Sequence, residues 1–202
     1  MTRPIKTILV SLNNSQFFEN NMAMAMQIAR KYDSHIIGLY VVPSAIVYAA
    51  PYGYGGPINF TEMNRFYRAK ASGVEDEFND FIRRESLEGE WRLVNSLGHF
   101  IGDAIIEHGR EADLIILGDD NSIKTDLQFE SHIVQDTGRP VLIVPNTTRK
   151  DFRFKKAIIG WDGSREAARA AFDAVPLLQM SQKTEVTCIT AHKERESSGD
   201  VP

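Results

Sequence analysis

The sequence predicts an α/β protein, a doubly wound open sheet of about five parallel strands followed by a partial second copy. Three observations carry this. Short apolar runs, none long enough for a helix, alternate with longer segments whose apolar residues recur at helical spacing. One such run, residues 114–117, follows Asp113 and ends in Gly118 and a polar turn, as a strand buried on both faces should. Third, residues 8–15 return as residues 157–164 at a constant offset of 149 residues. In open sheets of this kind ligands meet the carboxyl ends of the strands, so Gly118 marks where a ligand would touch the chain.

Ile8, Leu9, Val10 and Leu12 make residues 8–12 the first strand. Asn13, Asn14 and Ser15 then turn the chain, and Ser15 is placed to cap the next helix by accepting a backbone N–H. Over residues 16–32, Phe18, Met22, Ala25, Met26 and Ala29 recur at helical spacing, with Met22 and Met26 together as core filler. Residues 34–42 form a second buried strand, which makes a right-handed parallel crossover. Residues 43–60 hold three prolines, three glycines and four aromatics, so no regular element runs there. A surface excursion is the simpler reading of them, and a lid or an oligomer contact the sharper one. Thr61 caps a long helix to about Ser86, with Phe66, Val74, Phe78, Phe81 and Ile82 on one face. A third strand over 90–94, a helix through Ile101, Ala104, Ile105 and His108, and the fourth strand follow. Residues 126–136 form a helix closed by Gly138, with Pro140 as its stop signal. Val141-Leu142-Ile143-Val144 is the fifth strand and completes a domain over residues 1–147.

Residues 148–154 read as a polar linker to a truncated second domain over 155–202. There the 149-residue offset continues without a gap through a helix at 165–178 and a strand at 184–191, before a charged tail expected to be disordered. About fifty residues with two strands do not bury an independent core. Either the chain is cut short or this half-unit packs on the first domain or on another chain.

At 202 residues, 43% hydrophobic and 25% charged, the composition is that of a soluble globular protein. A net charge of −4 gives no electrostatic case for nucleic acid or an anionic membrane. No apolar run approaches the ~20 residues that span a bilayer. No signal peptide is visible ahead of the first strand, and the lone Cys188 has no partner for an internal disulfide, so a cytoplasmic protein is expected.

The stretches K-T-I-L-V-S-L-N-N-S, H-I-I-G-L-Y-V-V, A-D-L-I-I-L-G, G-R-P-V-L-I-V-P and W-D-G-S-R-E-A-A-R-A, in this order, resemble the universal stress protein family in its tandem bacterial form. The resemblance covers the first domain and the first third of a second. It implies a Rossmann-like sheet of the adenine-nucleotide alpha hydrolase type and, in some members, a crevice for an adenine nucleotide. It also implies a homodimer through the last strand, Val141 to Val144, and a role in stress survival without a settled reaction.

Nucleotide-binding members carry an Asp ending strand one and, after strand four, Gly, two residues, Gly, nine residues, Gly and Ser or Thr. Glycines there let backbone N–H groups approach phosphate oxygens at a helix N-terminus. Carried onto this chain, the Asp falls on Asn13, the first glycine on Gly118, the second on Asn121, the third on Ser131 and the hydroxyl residue on His132. Only Gly118 matches, and Asp119 and Asp120 lie where phosphates would come nearest, repelling them unless a cation intervenes. Asp162-Gly163-Ser164 restores the strand-one motif in the second copy, without a phosphate loop to match.

The expected function is therefore that of a non-enzymatic stress-response protein acting through dimerisation and unidentified protein partners. The rival is an adenine-nucleotide module taking ATP or AMP with Mg²⁺. The resemblance would give it adenosine contacts from Ser11, Asn13 and Val41 and the altered loop Gly118, Asp119, Asn121, Ser131 and His132. No base, nucleophile or phosphate clamp can be named for a hydrolase. Asp119, Asp120, Asp126 and His132 suggest a divalent-cation site, but a solvated acidic turn is the simpler account. Ser15 and Ser164 lack a G-x-S-x-G elbow and read as helix caps. Cys188 reads as inert packing, Trp161 as packing at the crevice mouth, and His35, His99, His108 and His192 as non-catalytic.

Overall fold

β1 (Thr7–Ser11) is apolar on both faces, and Ile8, Leu9 and Val10 are wholly buried. A strand with no polar face must lie inside a sheet with helices on both sides. In the computed structural model, which describes residues 4–43, 60–96, 100–119, 127–147 and 152–189, it does. The remaining elements of this part are a single 3-10 turn Ser15–Phe17, α1 (Phe18–Tyr32), β2 (His35–Val42), α2 (Phe60–Glu85), β3 (Gly89–Asn95), α3 (Ile101–Gly109), β4 (Leu114–Asp119), α4 (Leu127–Asp136) and β5 (Val141–Pro145). The sheet order is β3-β2-β1-β4-β5, with every neighbouring pair parallel. Winding runs outward from β1 to β3, then returns to the other side of β1 for β4 and β5. The order therefore reverses between β1 and β4, and that is where their carboxyl ends part.

Each face of the sheet has its own core. On one, Leu9, Ile37, Leu39, Val41, Ile115 and Leu117 pack with Ala104, Ile105 and Ile106 of α3 and Ile133 of α4. On the other, the Phe78 ring of α2 lies against Gly38 and against Trp91, with ring centroids 5.8 Å apart, and Phe18 meets Phe81 edge-on. Residues 44–59, expected to be a surface excursion, a lid or an oligomer contact, and residues 120–126, expected to open with a polar turn, lie outside the described residues.

Several sequence expectations are corrected. Asn14, not Ser15, caps the turn after β1, accepting from the Gln16 N–H at 3.1 Å, and α1 starts only at Phe18. In α1 it is Met24 that is buried, while Met26 is half-buried. Phe66 is 65% exposed, and the buried face of α2 starts at Ala71 and continues through Val74, Phe78 and Phe81. A 26-residue helix is about 39 Å long and a seven-residue strand about 23 Å, so the first turns of α2 overhang β3. Thr61 lies inside α2. Gly138 does close α4, one residue past Thr137, at φ 65°.

The chain divides into two compact units, Arg3–Phe152 and a second from Arg153 onward. The second contains β6 (Lys156–Trp161), α5 (Arg165–Leu178) and β7 (Lys183–Cys188), with β6 and β7 parallel. Thr7 pairs with His35 in the first unit, whereas Lys156 pairs with Lys183 in the second, so the gapless 149-residue correspondence slips by one at β7. One helix over two strands leaves Ile158, Phe172, Val186 and Ile189 exposed, and Cys188, expected inside, is exposed too.

A Cβ at Gly38 would lie 2.8 Å from the Phe78 ring and 3.1 Å from the Leu12 side chain. Both are in closely packed core, so Gly38→Ala is expected to cost about 1–3 kcal/mol. A urea titration should show a lower midpoint at an unchanged slope; an unchanged midpoint would mean this packing is slack.

Candidate functional site

The carboxyl ends of β1, β2 and β4 bring together Ser11, Asn13, Val41, Gly118 and Asp119, five of the residues expected at a ligand crevice. What they do there is specific. The Asn13 carboxamide is paired with the Val41 backbone like one peptide with another: its Nδ2 donates to the Val41 carbonyl at 2.6 Å, and the Val41 N–H donates to its Oδ1 at 3.0 Å. Only an amide can do this, since it alone offers a donor and an acceptor side by side at neutral pH. Val41 is fully buried, and its N–H has no proton left for a ligand.

Near the end of β4, the ring of Phe17 covers Gly118. Phe17 is 3% exposed, and a Cβ built on Gly118 would overlap its ring. The 3-10 turn Ser15–Phe17, capped by Asn14, delivers the ring to this position. Gly118 is thus needed for close approach, but the approaching group is the chain's own aromatic ring. Asn21 of α1, 1% exposed, points its Nδ2 at the Ser11 carbonyl at 3.4 Å, and its Oδ1 has no hydrogen-bond partner among the described residues.

Ser131 and His132 are not at the start of a helix. α4 begins at Leu127, so both lie in its second turn, where the backbone N–H groups serve the helix ladder. The family's count would end the loop at Ser131, whereas α4 already runs from Leu127. Asn121, Asp120 and Asp126 lie outside the described residues. His132 does not turn toward Asp119: its Nε2 is 2.9 Å from Asp103 Oδ1 of α3, and its Nδ1 is 2.9 Å from Asp136 Oδ2. Those two carboxylates raise the His132 pKa above the ordinary histidine value, the hydrogen bond to Asp103 contributing most. Among the described residues no group of three or more His, Cys, Asp or Glu side chains is arranged to hold a metal ion.

In the second unit Asp162 and Ser164 act on the backbone. Asp162 Oδ1 accepts from the Ser164 N–H at 2.9 Å, Gly163 takes a left-handed φ of 81°, and Ser164 Oγ accepts from the Ala167 N–H at 3.0 Å to cap α5. The Ser164 hydroxyl and N–H hold the Asp162 carboxyl below its ordinary range. His35, read as non-catalytic, has Glu90 at 3.9 Å across β2 and β3. An open groove on the first turns of α2 is lined by Thr61, Asn64, Arg65, Arg68 and Ala69, none of them from the β1 or β4 ends, and Arg68 there is tied to Asn64 and Asn95. No helix among the described residues is long and apolar enough to cross a membrane.

Neither a protein-family model nor a curated protein matches the sequence. Solved structures match the fold. A universal stress protein family member from Burkholderia pseudomallei aligns with a TM-score of 0.57 at 20% identity, over 72% of this chain and 99% of its own. A universal stress protein from Archaeoglobus fulgidus DSM 4304 aligns with a TM-score of 0.66 at 16% identity, over 95% of this chain and 68% of its own. The chain has the universal stress protein fold. A third structure of this fold, a universal stress protein in complex with cAMP, aligns at 0.50 and 19% identity over 72% of this chain and all of its own.

Within that fold, sequence reasoning located the strand ends and missed what fills them. Phe17 was hidden because it precedes the regular helix, and Asp103 because its partner His132 is 29 residues away. The signal for Phe17 was an aromatic residue two places after the turn that faces the only surviving loop glycine.

Asn13→Asp removes the donor and sets a carboxylate oxygen against the Val41 carbonyl. We expect a loss of about 1–3 kcal/mol at neutral pH, since the carbonyl loses its partner and meets a negative oxygen. A protonated carboxyl can donate again, so its folded-state pKa is raised and the deficit should shrink as pH falls through that value. Denaturant midpoints of both proteins at neutral and acid pH test this; a deficit that grows in acid would refute the pairing.

Proposed function

We propose that this chain is a non-enzymatic regulatory protein of the universal stress protein family, in which a second copy opens after Arg153, acting in the cytoplasm through dimerisation and partner binding. One observation carries the reading: the strand-end crevice is filled from within, by the Asn13 carboxamide on Val41 and the Phe17 ring on Gly118. A nucleotide would have to displace both, and the helix start that would meet its phosphates presents neither Ser131 nor His132. The Archaeoglobus protein, matched over 95% of this chain, supports treating the part after Arg153 as the opening of a second copy.

The opposing reading, an adenine-nucleotide module, is favoured by the same-fold protein that holds cAMP. Calorimetric titration of the 202-residue protein with ATP and Mg²⁺, and separately with AMP, distinguishes the two. No heat from a folded sample is expected; micromolar binding of either nucleotide would overturn the filled-crevice reading and replace it with the nucleotide module.

Dimerisation is assigned to β5. It ends the sheet order, bonded only to β4 within the sheet, and Ile143 is 38% exposed on it. An apolar strand edge is a template for pairing. Ile143→Asp should lower the mass measured by light scattering from that of a dimer to that of a monomer, and an equal mass for both proteins would exclude β5 as the interface.

A further inference from the structure

His132 is held between two carboxylates that approach opposite nitrogens of its ring, Asp103 at Nε2 and Asp136 at Nδ1, each at 2.9 Å. A neutral imidazole has one N–H and one lone pair, so it can donate to only one of them and would turn its lone pair on the other. Only the imidazolium donates to both. The ring also bridges two helices: Asp136 belongs to α4, like His132, while Asp103 belongs to α3. Asp103 has a second duty, since its Oδ2 accepts from the Phe100 N–H and so caps α3. The helices are close here, as a Cβ on Gly102 would lie 3.3 Å from the His132 ring.

The charged and titratable groups around the ring can be named. α3 carries Asp103, Glu107 and His108; α4 carries Glu130 and Asp136; and Arg110, just past α3, gives its guanidinium to the Asp136 backbone carbonyl at 3.3 Å. Asp103 and Asp136 are the two that reach the ring. Because they sit on opposite sides of it, one cation could not be shared by all three groups.

We propose that His132 is a pH-sensitive clamp that fastens the amino-terminal turn of α3 to α4 while its ring carries both protons. α3 follows β3 and α4 follows β4, so the clamp sits toward the strand-end side of the fold and controls how firmly those two helices are joined there. Its pKa is raised in the folded state, so its contribution is complete at pH below the unfolded histidine value and is lost as pH rises through the folded value. A neutral ring keeps one hydrogen bond, now without a cationic donor, and turns its lone pair on the other carboxylate.

The test is a pH titration of the full chain by NMR, following the His132 ring protons, with amide hydrogen exchange of α3 and α4 measured on either side of the midpoint. The midpoint should lie above about 6.5, the ordinary histidine value. Asp103→Asn, which keeps an oxygen for the Phe100 N–H, should move it down. Above the midpoint, α3 and α4 amides should exchange several-fold faster than intrinsic base catalysis accounts for, and His132→Gln should abolish that excess. A wild-type midpoint at or below the ordinary value, a midpoint unmoved by Asp103→Asn, or an excess that persists in His132→Gln would each overturn the clamp.

Discussion

The first unit depends on β1 being paired along both edges while buried on both faces. Its neighbours β2 and β4 are reached by windings that leave in opposite directions, so beyond Ser11 the sheet opens and the backbone groups of Leu39 to Val42 and of Gly118 lose a strand between them. An opening of that kind has to be satisfied by something. Leu12 donates to the Leu39 carbonyl at 2.9 Å, and Asn13 then extends the ladder one step further with its side chain, pairing with Val41 as another residue of β1 would. The apolar part of the gap is closed by Phe17. In a buried location the unpaired alternative would cost about 1–3 kcal/mol per polar group, so these contacts belong to the stability of the sheet as much as to any question of ligand.

The strands were legible because burial on both faces leaves a continuous apolar run, and such a run with a glycine or polar turn after it has few other interpretations. Helix faces were less so. α1 lies over several strands, and its buried arc runs from Met24 through Ala25 to Met22, centred near Asn21 and Ala25; Met24 and Met26 flank it, and periodicity alone does not say which flank faces inward. Asn21 sits in the middle of that arc, and a polar residue there weakens the pattern that would have found it. α2 fails differently. Its period is clear, but nothing local reveals where the sheet beneath it ends, so Phe66 was counted with Phe78 although no strand reaches it.

The candidate site was legible only as a place. Gly118 and Asn13 were located correctly at strand ends, but their roles depend on partners distant in sequence: 28 residues from Asn13 to Val41, and about a hundred from Phe17 to Gly118, a separation no spacing rule encodes. The loop after β4 illustrates the opposite risk. A motif carried over by counting assumes a fixed loop length, and α4 begins at Leu127, four residues before the count would end the loop at Ser131. The shift moves His132 from a phosphate-facing position to one between two helices, where it meets carboxylates.

The two strand-one turns differ at two of three residues and take different paths. In the second unit an aspartate at 162 folds its carboxylate back on the Ser164 N–H, with glycine at 163 taking the left-handed φ, and Ser164 caps a helix that starts at once. In the first unit the corresponding residues are Asn13, Asn14 and Ser15. Asn13 turns sideways to Val41 because an amide can both give and receive; the capping duty passes to Asn14, and the chain makes a 3-10 turn before α1 begins. That extra turn is what carries Phe17 over Gly118. The closure thus has two parts, the hydrogen bonds of Asn13 to Val41 and the turn capped by Asn14 that carries Phe17 over Gly118, and the second unit, with Asp162 and Gly163 at the corresponding positions, makes neither.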